Sequence, residues 1–81
     1  MSALETLSEI LRETFDDSAL VLTPDLKLQD VANWDSMNHI NMVLDVETRF
    51  GVGFEVSEIQ AIKSIDDLVG LLRNKGVEIE W

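Results

Sequence analysis

Residues 34–50, WDSMNHINMVLDVETRF, constrain the fold most, because they join a helix-start signal to about four turns of apolar periodicity. Asp35 and Ser36 both favour a helix N-terminus, since their side-chain oxygens accept hydrogen bonds from free backbone N–H groups. Either residue could be the N-cap. Gly51 is a typical C-terminal stop, so the sequence predicts that this second helix of the chain ends at about Arg49–Phe50.

The predicted second helix carries more apolar surface than one core contact requires. The stripe expected to face the core consists of Val43, Val46 and Phe50, with Met42 nearby. A second stripe, with helical spacings of three and four, consists of Met37, Ile40 and Leu44. The helix is therefore either buried on two sides or uses the second stripe as a docking surface.

The first half of the chain predicts a helix and a long connection. Residues 3–15 repeat apolar side chains at helical spacing opposite an acidic face, and Ser2 with Glu5 fits a capping box. Residues 16–33 form a long loop that contains the only proline of the chain and many large apolar residues. Such a loop is expected to pack against the helices, with a short helical turn near Leu28–Val31.

A short third helix is predicted after the second. Residues 51–56 alternate apolar side chains as a strand does, but no other segment could pair with them. We therefore expect an extended linker there. The short helix is predicted from Ser57, as its N-cap, to about Ile62.

The last helix is predicted to start at Ser64, with Asp67 at the capping-box position, and to stop at Gly76. Residues 77–81 are a tail that either folds back or frays. The sum is an all-α fold: a small bundle of three main helices plus one short helix, with a long loop between the first two. At 81 residues, one domain over positions 1–81 is expected.

Charge and composition exclude several classes of function. Sixteen acidic against six basic residues give a formal charge of −10, which disfavours nucleic acid and anionic membranes and favours partners with a basic surface. No cysteine and one histidine leave no zinc set, and no calcium-binding loop is present, so no metal site is expected. The N-terminus lacks the features of a signal peptide, and the expected location is the cytoplasm.

Ser36 is the candidate reactive group. A helix N-terminus favours a phosphate on such a serine, although Asp-Ser also occurs as a plain helix cap. Ser36 and His39 lie on one helix face, which raises the alternative of a hydrolase. The chain has no G-x-S-x-G motif and no second histidine, so we expect no catalytic residue. His39 is expected to be an exposed helix residue or a contact near the serine.

W-D-S-M, followed by an amphipathic helix that ends in E-x-x-F-G, resembles the acyl carrier protein family. The signature of that family is D-S-L, and its serine bears 4′-phosphopantetheine. The resemblance covers nearly the whole chain. It includes the R-F-G-V-G-F-E-V exit from the second helix and the S-I-D-D-L start of the last helix.

The resemblance implies that Ser36 is the attachment site for 4′-phosphopantetheine, which a phosphopantetheinyl transferase takes from coenzyme A. Asp35 would contact the transferase or order the helix start, and Met37 would be the apolar contact beside the arm. Trp34 would be either a docking contact or a lid over the core. The positions implied for partner docking are Trp34, Met37, His39, Ile40, Leu44 and Glu47.

The implied function is that of a monomeric acyl carrier protein and not of an enzyme. The arm would hold an acyl, aminoacyl or hydroxyacyl group as a thioester. A ligase or transferase would load that group, and a synthase or acyltransferase of a fatty-acid, polyketide or other biosynthetic pathway would use it. Trp34 before the motif, and Asn38, His39 and Asn41 where acids often occur, point to a specialised carrier rather than the housekeeping fatty-acid carrier. The alternative is a non-covalent helical adaptor of the same fold that never receives the arm.

Overall fold

The computed structural model describes residues 2–81 and shows an all-α fold, as the sequence predicts. The four α-helices are α1 at Ala3–Thr14, α2 at Ser36–Phe50, α3 at Val56–Ala61 and α4 at Ile65–Asn74. A single 3-10 turn at Leu28–Asp30 interrupts the long loop, where the helical turn was expected. No strand forms within residues 2–81, and the segment before α3 is an extended linker.

The two ends of α2 follow from local backbone chemistry. Asp35 is the N-cap, since its backbone is extended and its Oδ1 accepts a hydrogen bond from the Asn38 N–H at 2.7 Å. The helix ends at Phe50, and Gly51 takes the left-handed conformation with φ of 67°. Glycine adopts this conformation without the strain that a Cβ would add.

The start predicted for α3 is wrong by two residues. The N-cap is Glu55, not Ser57, and the helix begins at Val56. The Glu55 N–H donates to Glu58 Oε1 at 2.9 Å, and Lys75 Nζ lies 3.1 Å from the same oxygen. Both contacts lower the pKa of Glu58 below its ordinary value, and the hydrogen bond from the Glu55 N–H has the larger effect. Glu55 and Glu58 therefore form the N-terminal cap that was predicted for Ser57.

The core lies between α1, α2 and α4, and the loop and the tail cover it. Its buried apolar side chains are Leu7, Ile10, Leu11, Phe15, Leu22, Leu28, Val31, Met42, Val43, Val46, Ile62, Ile65, Leu68, Val69, Leu72 and Ile79. Phe50, which the sequence places on the inward stripe, is only partly buried at the edge of this cluster. No residue of α3 is fully buried, so this short helix lies on the core without being part of it.

The long loop is joined to the N-terminus of α4 through backbone hydrogen bonds. The first N–H groups of a helix have no partner within it. Here the N–H of Ile65 donates to the carbonyl of Leu26 at 2.9 Å, and the N–H of Asp66 donates to the carbonyl of Pro24 at 3.2 Å. The Leu28 N–H donates in turn to the Lys63 carbonyl at 3.0 Å. The loop is therefore a structural element that fixes where α4 begins.

Side chains hold the remaining irregular segments. Arg12 Nε donates to the Leu20 carbonyl at 2.8 Å, which pins the start of the loop to α1. Arg73 Nε and Nη2 donate to the Ile79 carbonyl at 3.0 and 2.7 Å. Ile79 is buried, so of the two alternatives for the tail at 77–81, the structure shows that it folds back.

We expect Ser64→Ala to lower the free energy of unfolding by about 1 kcal/mol, the usual cost of losing a helix N-cap. Ser64 Oγ accepts from the Asp67 N–H at 3.2 Å, and Asp67 Oδ2 accepts from the Ser64 N–H at 3.1 Å. Ser57→Ala is the matched control, because Ser57 is exposed within α3 and caps nothing, and its effect should stay within about 0.5 kcal/mol. Urea unfolding followed by far-UV circular dichroism measures both. Equal losses in the two variants would contradict this assignment of the caps.

Candidate functional site

Ser36 is the first residue of α2 and is exposed to solvent. It lies in the turn where backbone N–H groups lack helical partners and where the helix dipole is positive. An exposed hydroxyl at this place can bear a negatively charged substituent without burying its charge. The structure thus puts the candidate residue where the sequence predicts it, at the start of the longest helix in the described chain.

The chain's approach to Ser36 is held by several hydrogen bonds. Asn33 has a left-handed backbone, with φ of 67°, and its Nδ2 donates to the Phe15 carbonyl at 2.8 Å. Asn38 Nδ2 donates back to the Asn33 carbonyl at 3.0 Å. Together with the Asp35 cap, these bonds fix the turn on both sides of the serine. Of the two roles that the resemblance offers Asp35, ordering the helix start is visible in this geometry.

Of the two alternatives predicted for His39, an exposed helix residue and a contact near the serine, the first is wrong. The relative exposure of His39 is 9%, because α3 passes over it. Trp34 Nε1 donates to His39 Nδ1 at 3.3 Å, and His39 Nε2 lies 3.0 Å from the Ile59 carbonyl. An indole N–H is only a donor, so Nδ1 must accept, and Nε2 carries the proton that goes to Ile59. We call this chain of two hydrogen bonds the Trp34–His39–Ile59 bridge.

The bridge removes two roles that the sequence left open for His39. Both ring nitrogens are occupied by Trp34 and Ile59, so the imidazole is not aimed at Ser36 as a base. An enclosed side chain is also unsuited to direct contact with a partner, and the docking role predicted for His39 is withdrawn. One sequence signal would have revealed its burial: position 39 lies three, four and seven residues before the buried Met42, Val43 and Val46.

Trp34 lies half-buried at the junction of the loop and α2. Its ring meets that of His39 edge to face, with centroids 6.0 Å apart and an interplanar angle of 75°. The indole also packs against the core cluster. This placement favours the role of a lid over the junction, one of the two alternatives that the sequence left open.

A cavity of about 530 Å³ lies beside Ser36, between α2, the 3-10 turn and α3. Its rim is formed by the exposed residues Gln29, Ser36, Ile40, Gln60 and Lys63. Its inner wall is formed by the buried or half-buried residues Leu28, Trp34, His39, Ile59 and Ile62. None of these lining residues is acidic, although the chain has sixteen acids. The volume lies within the range of roughly 300–1,000 Å³ that is usual for small-molecule sites.

The second apolar stripe of α2 is exposed and not buried against a second core. Met37, Ile40 and Leu44 are 74%, 45% and 54% exposed. Of the two alternatives for this stripe, burial is excluded, and docking stays a prediction. Glu47, predicted as an acidic docking residue, has a role that the sequence did not reveal. Its Oε2 accepts from the Phe54 N–H at 2.8 Å and so holds the linker before α3.

No protein-family model matches the chain, but individual proteins do. The chain is 30% identical over 71 residues to the acyl carrier protein of Petrotoga mobilis, which covers 88% of this chain and 84% of that protein. The chain belongs to the acyl carrier protein family. It is also 27% identical over 75 residues to the acyl carrier protein of Solidesulfovibrio magneticus, covering 93% of this chain and 96% of that protein.

Solved structures agree with this assignment. The solution structure of holo acyl carrier protein from Geobacter metallireducens matches with a TM-score of 0.81 at 35% identity, over 93% of this chain and 86% of that one. A putative acyl carrier protein from Mycobacterium tuberculosis matches with a TM-score of 0.80 over 89% of this chain and 96% of that one. At 17% identity, this second likeness concerns the fold alone.

Membership in the acyl carrier protein family makes the chain a carrier protein and not an enzyme, which confirms the function class predicted from the sequence. Within residues 2–81, no helix has the length and apolar character that crossing a bilayer requires. The same residues include no group of three or more metal-ligating side chains close enough to hold an ion.

We expect Asp35→Ala to lower the free energy of unfolding by about 1 kcal/mol, because it removes the acceptor for the Asn38 N–H. Asp35→Asn should stay within a few tenths of a kcal/mol of the wild type, since asparagine caps helices about as well as aspartate. Urea unfolding of the two variants in parallel separates the cap from the charge. A comparable loss in Asp35→Asn would contradict the cap as the main structural role of this residue.

Proposed function

We propose that this carrier protein holds an acyl group as a thioester on 4′-phosphopantetheine attached to Ser36. The observation that carries the proposal is the position of Ser36, exposed at the start of α2 directly after the Asp35 cap, in a chain of the acyl carrier protein family. The flanking sequence D-S-M matches the D-S-L signature of the family at Asp35 and Ser36 and has Met37 in place of the usual leucine.

The residues around Ser36 fit such a group. The Ser36 hydroxyl oxygen would form the new bond to the phosphorus that bears pantetheine in coenzyme A. The pyrophosphate bond of coenzyme A breaks in the same step, adenosine 3′,5′-bisphosphate leaves, and the serine proton goes to the transferase or to solvent. The free N–H groups and the dipole of α2 favour the resulting phosphodiester. Asp35 keeps the helix start ordered, and its Oδ1 is directed to the Asn38 N–H. The attached group would supply a thiol on a flexible tether, which raises the effective concentration of the cargo at each partner enzyme.

The surface around Ser36 suits transient recognition by several enzymes. The exposed stripe of Met37, Ile40 and Leu44 begins one residue after the attachment site, so a partner that docks there has the arm within reach. The net charge of −10 favours partners with a basic surface and raises the rate of encounter more than the lifetime of the complex. The partners implied are the transferase, a ligase or transferase that loads the thiol, and a synthase or acyltransferase that uses the thioester.

The cavity beside Ser36 supports a second part of the proposal, in which the protein also shelters the acyl group that it carries. An arm that folds back towards its own attachment point brings the acyl group to the rim, and the apolar inner wall offers it a place out of water.

The exposed stripe of Met37, Ile40 and Leu44 would also serve a helical adaptor that never receives the arm. This alternative predicts that Ser36 can be replaced without loss of function.

Incubation with coenzyme A and a broad-specificity phosphopantetheinyl transferase tests the proposal. We expect the intact mass of the wild type to increase by one phosphopantetheine. Ser36→Ala should show no increase, because the acceptor oxygen is absent. Ser57→Ala is the matched control, since it removes another exposed serine from the first turn of a helix, and it should load as the wild type does.

Circular dichroism of all three proteins must show the helical spectrum of a folded chain. A folded wild type that gains no mass with several transferases would favour the adaptor. Mass gain in Ser36→Ala would place the attachment elsewhere.

A further inference from the structure

The cavity beside Ser36 has three walls, and two of them are held firmly. The α2 wall belongs to a helix whose Met42, Val43 and Val46 are buried in the core. The loop wall contains Leu28, which is 1% exposed and whose N–H donates to the Lys63 carbonyl at 3.0 Å. Displacing either wall would require the core or the loop attachment to open. A longer occupant would therefore have to displace the third wall, which is α3.

The α3 wall has few attachments. This helix has six residues and no fully buried side chain, and so short a helix has little stability of its own. An ion pair of 3.1 Å between Glu58 and Lys75 ties it to the C-cap of α4. The hydrogen bond from His39 Nε2 to the Ile59 carbonyl ties it to α2, across the cavity itself. Among the hydrogen bonds of residues 2–81, this is the one that joins α2 to α3.

The inner wall offers an occupant no free polar partner. Leu28, Ile59 and Ile62 present apolar side chains, and the His39 nitrogens are already engaged by Trp34 and Ile59. A polar group at the end of the cargo would lose its water and find no replacement. The side-chain amides of Gln29 and Gln60 lie at the exposed rim, where the amide groups of a folded arm would pass. The chemistry of the cavity therefore suits an acyl group with an apolar end.

We propose that His39 is a specificity-determining residue that sets the greatest length of acyl group the cavity accepts. The proposal rests on the proposed function, in which Ser36 bears the arm. A short apolar acyl group fits while the Trp34–His39–Ile59 bridge is intact. A longer one requires α3 to move away from α2, which breaks the bond to Ile59 and leaves the buried Nε2–H of His39 without an acceptor. The bridge thus opposes the widening of the cavity.

The test compares the wild type with two variants of His39. His39→Leu introduces an apolar side chain of similar bulk, which donates no hydrogen bond. His39→Gln is the matched control, because its terminal amide keeps an N–H donor at a reach similar to that of Nε2. Each protein is loaded by a phosphopantetheinyl transferase from coenzyme A thioesters with straight acyl chains of increasing length. The rate of thioester cleavage by hydroxylamine is then compared with that of the corresponding free S-acyl pantetheine.

In the wild type, we expect protection to grow about fourfold with each buried methylene and then to fall beyond a limiting length. Cleavage about tenfold slower than that of the free thioester corresponds to a docked population of about 90%. His39→Leu should move the limiting length to longer chains, and His39→Gln should keep the wild-type limit. A chain with a terminal hydroxyl or carboxylate should be protected less than its apolar counterpart of equal length. A role for His39 in stability alone would not produce this change in the length profile.

A second measurement needs no variant. In the wild type, the ring ¹⁵N–¹H correlations of His39 should keep the pattern of a protonated, hydrogen-bonded Nε2 with acyl groups up to the limit. They should lose it with longer ones. This measurement decides the question even if His39→Leu does not fold.

The proposal is overturned if His39→Leu has the same limiting length as the wild type, if no acyl length is protected, or if the ring signals are indifferent to chain length. Failure of the proposed function has a different signature, since the intact mass then shows no loading. In that case the same series of S-acyl pantetheines is titrated into the unmodified chain. Trp34 fluorescence in a Trp81→Phe background then reports binding, so the length limit is tested without attachment.

Discussion

Unpaired backbone groups at the ends of short helices are the constraint on which the rest of this structure depends. Within residues 2–81, four α-helices of 6 to 15 residues leave many N–H and carbonyl groups without intrahelical partners, and a small core cannot compensate for burying them unpaired. The chain meets this need with segments that look irregular in the sequence. The loop gives the Leu26 and Pro24 carbonyls to the start of α4, and the tail gives the Val77 N–H to the Leu72 carbonyl in the last turn of α4. The loop and the tail therefore help to fix where α4 begins and ends.

The proposed attachment site is a consequence of the same constraint. Asp35 pairs with the Asn38 N–H, and this leaves Ser36 in an ordered turn with its hydroxyl free towards solvent. Ser36 is an exposed residue of α2, whereas His39, which also lines the cavity, is a buried residue of α2. Its side chain donates a hydrogen bond to the Ile59 carbonyl in the last turn of α3. One wall of the cavity is thus a well-anchored helix that carries the serine. The other wall is a short helix with no fully buried side chain, and it is the wall that the proposal expects to move when cargo enters.

Local sequence signals predicted the helices well. Features that depend on contacts between distant segments could not be predicted from the sequence. Asp35, Gly51 and Ser64 act within three or four residues of their partners, so the ends of α2 and the start of α4 could be inferred from spacing alone. The pairing of Glu55 with Glu58 is just as local, but serine was preferred as a cap on propensity, and the start of α3 was misplaced. The helical stripe of α2 indicates that His39 is buried, but it does not show the hydrogen bond to Ile59, twenty residues later, or the bond from a linker N–H to Glu47. No periodicity in α2 specifies where α3 will cross it.

A histidine at position 39 is itself an argument for a role beyond packing. It occupies the stripe of α2 that continues into Met42, Val43 and Val46, where an apolar side chain would fill the space without the cost of burying two polar nitrogens. The imidazole is tolerated because Trp34 and Ile59 pair with both nitrogens, and each of these partners lines the cavity beside Ser36. A fully paired polar network fixes one arrangement of its elements, whereas apolar contacts permit sliding. Histidine at this core position therefore fixes the separation of α2 and α3. That separation is the width of the cavity, which would limit the acyl chain that the cavity can shelter.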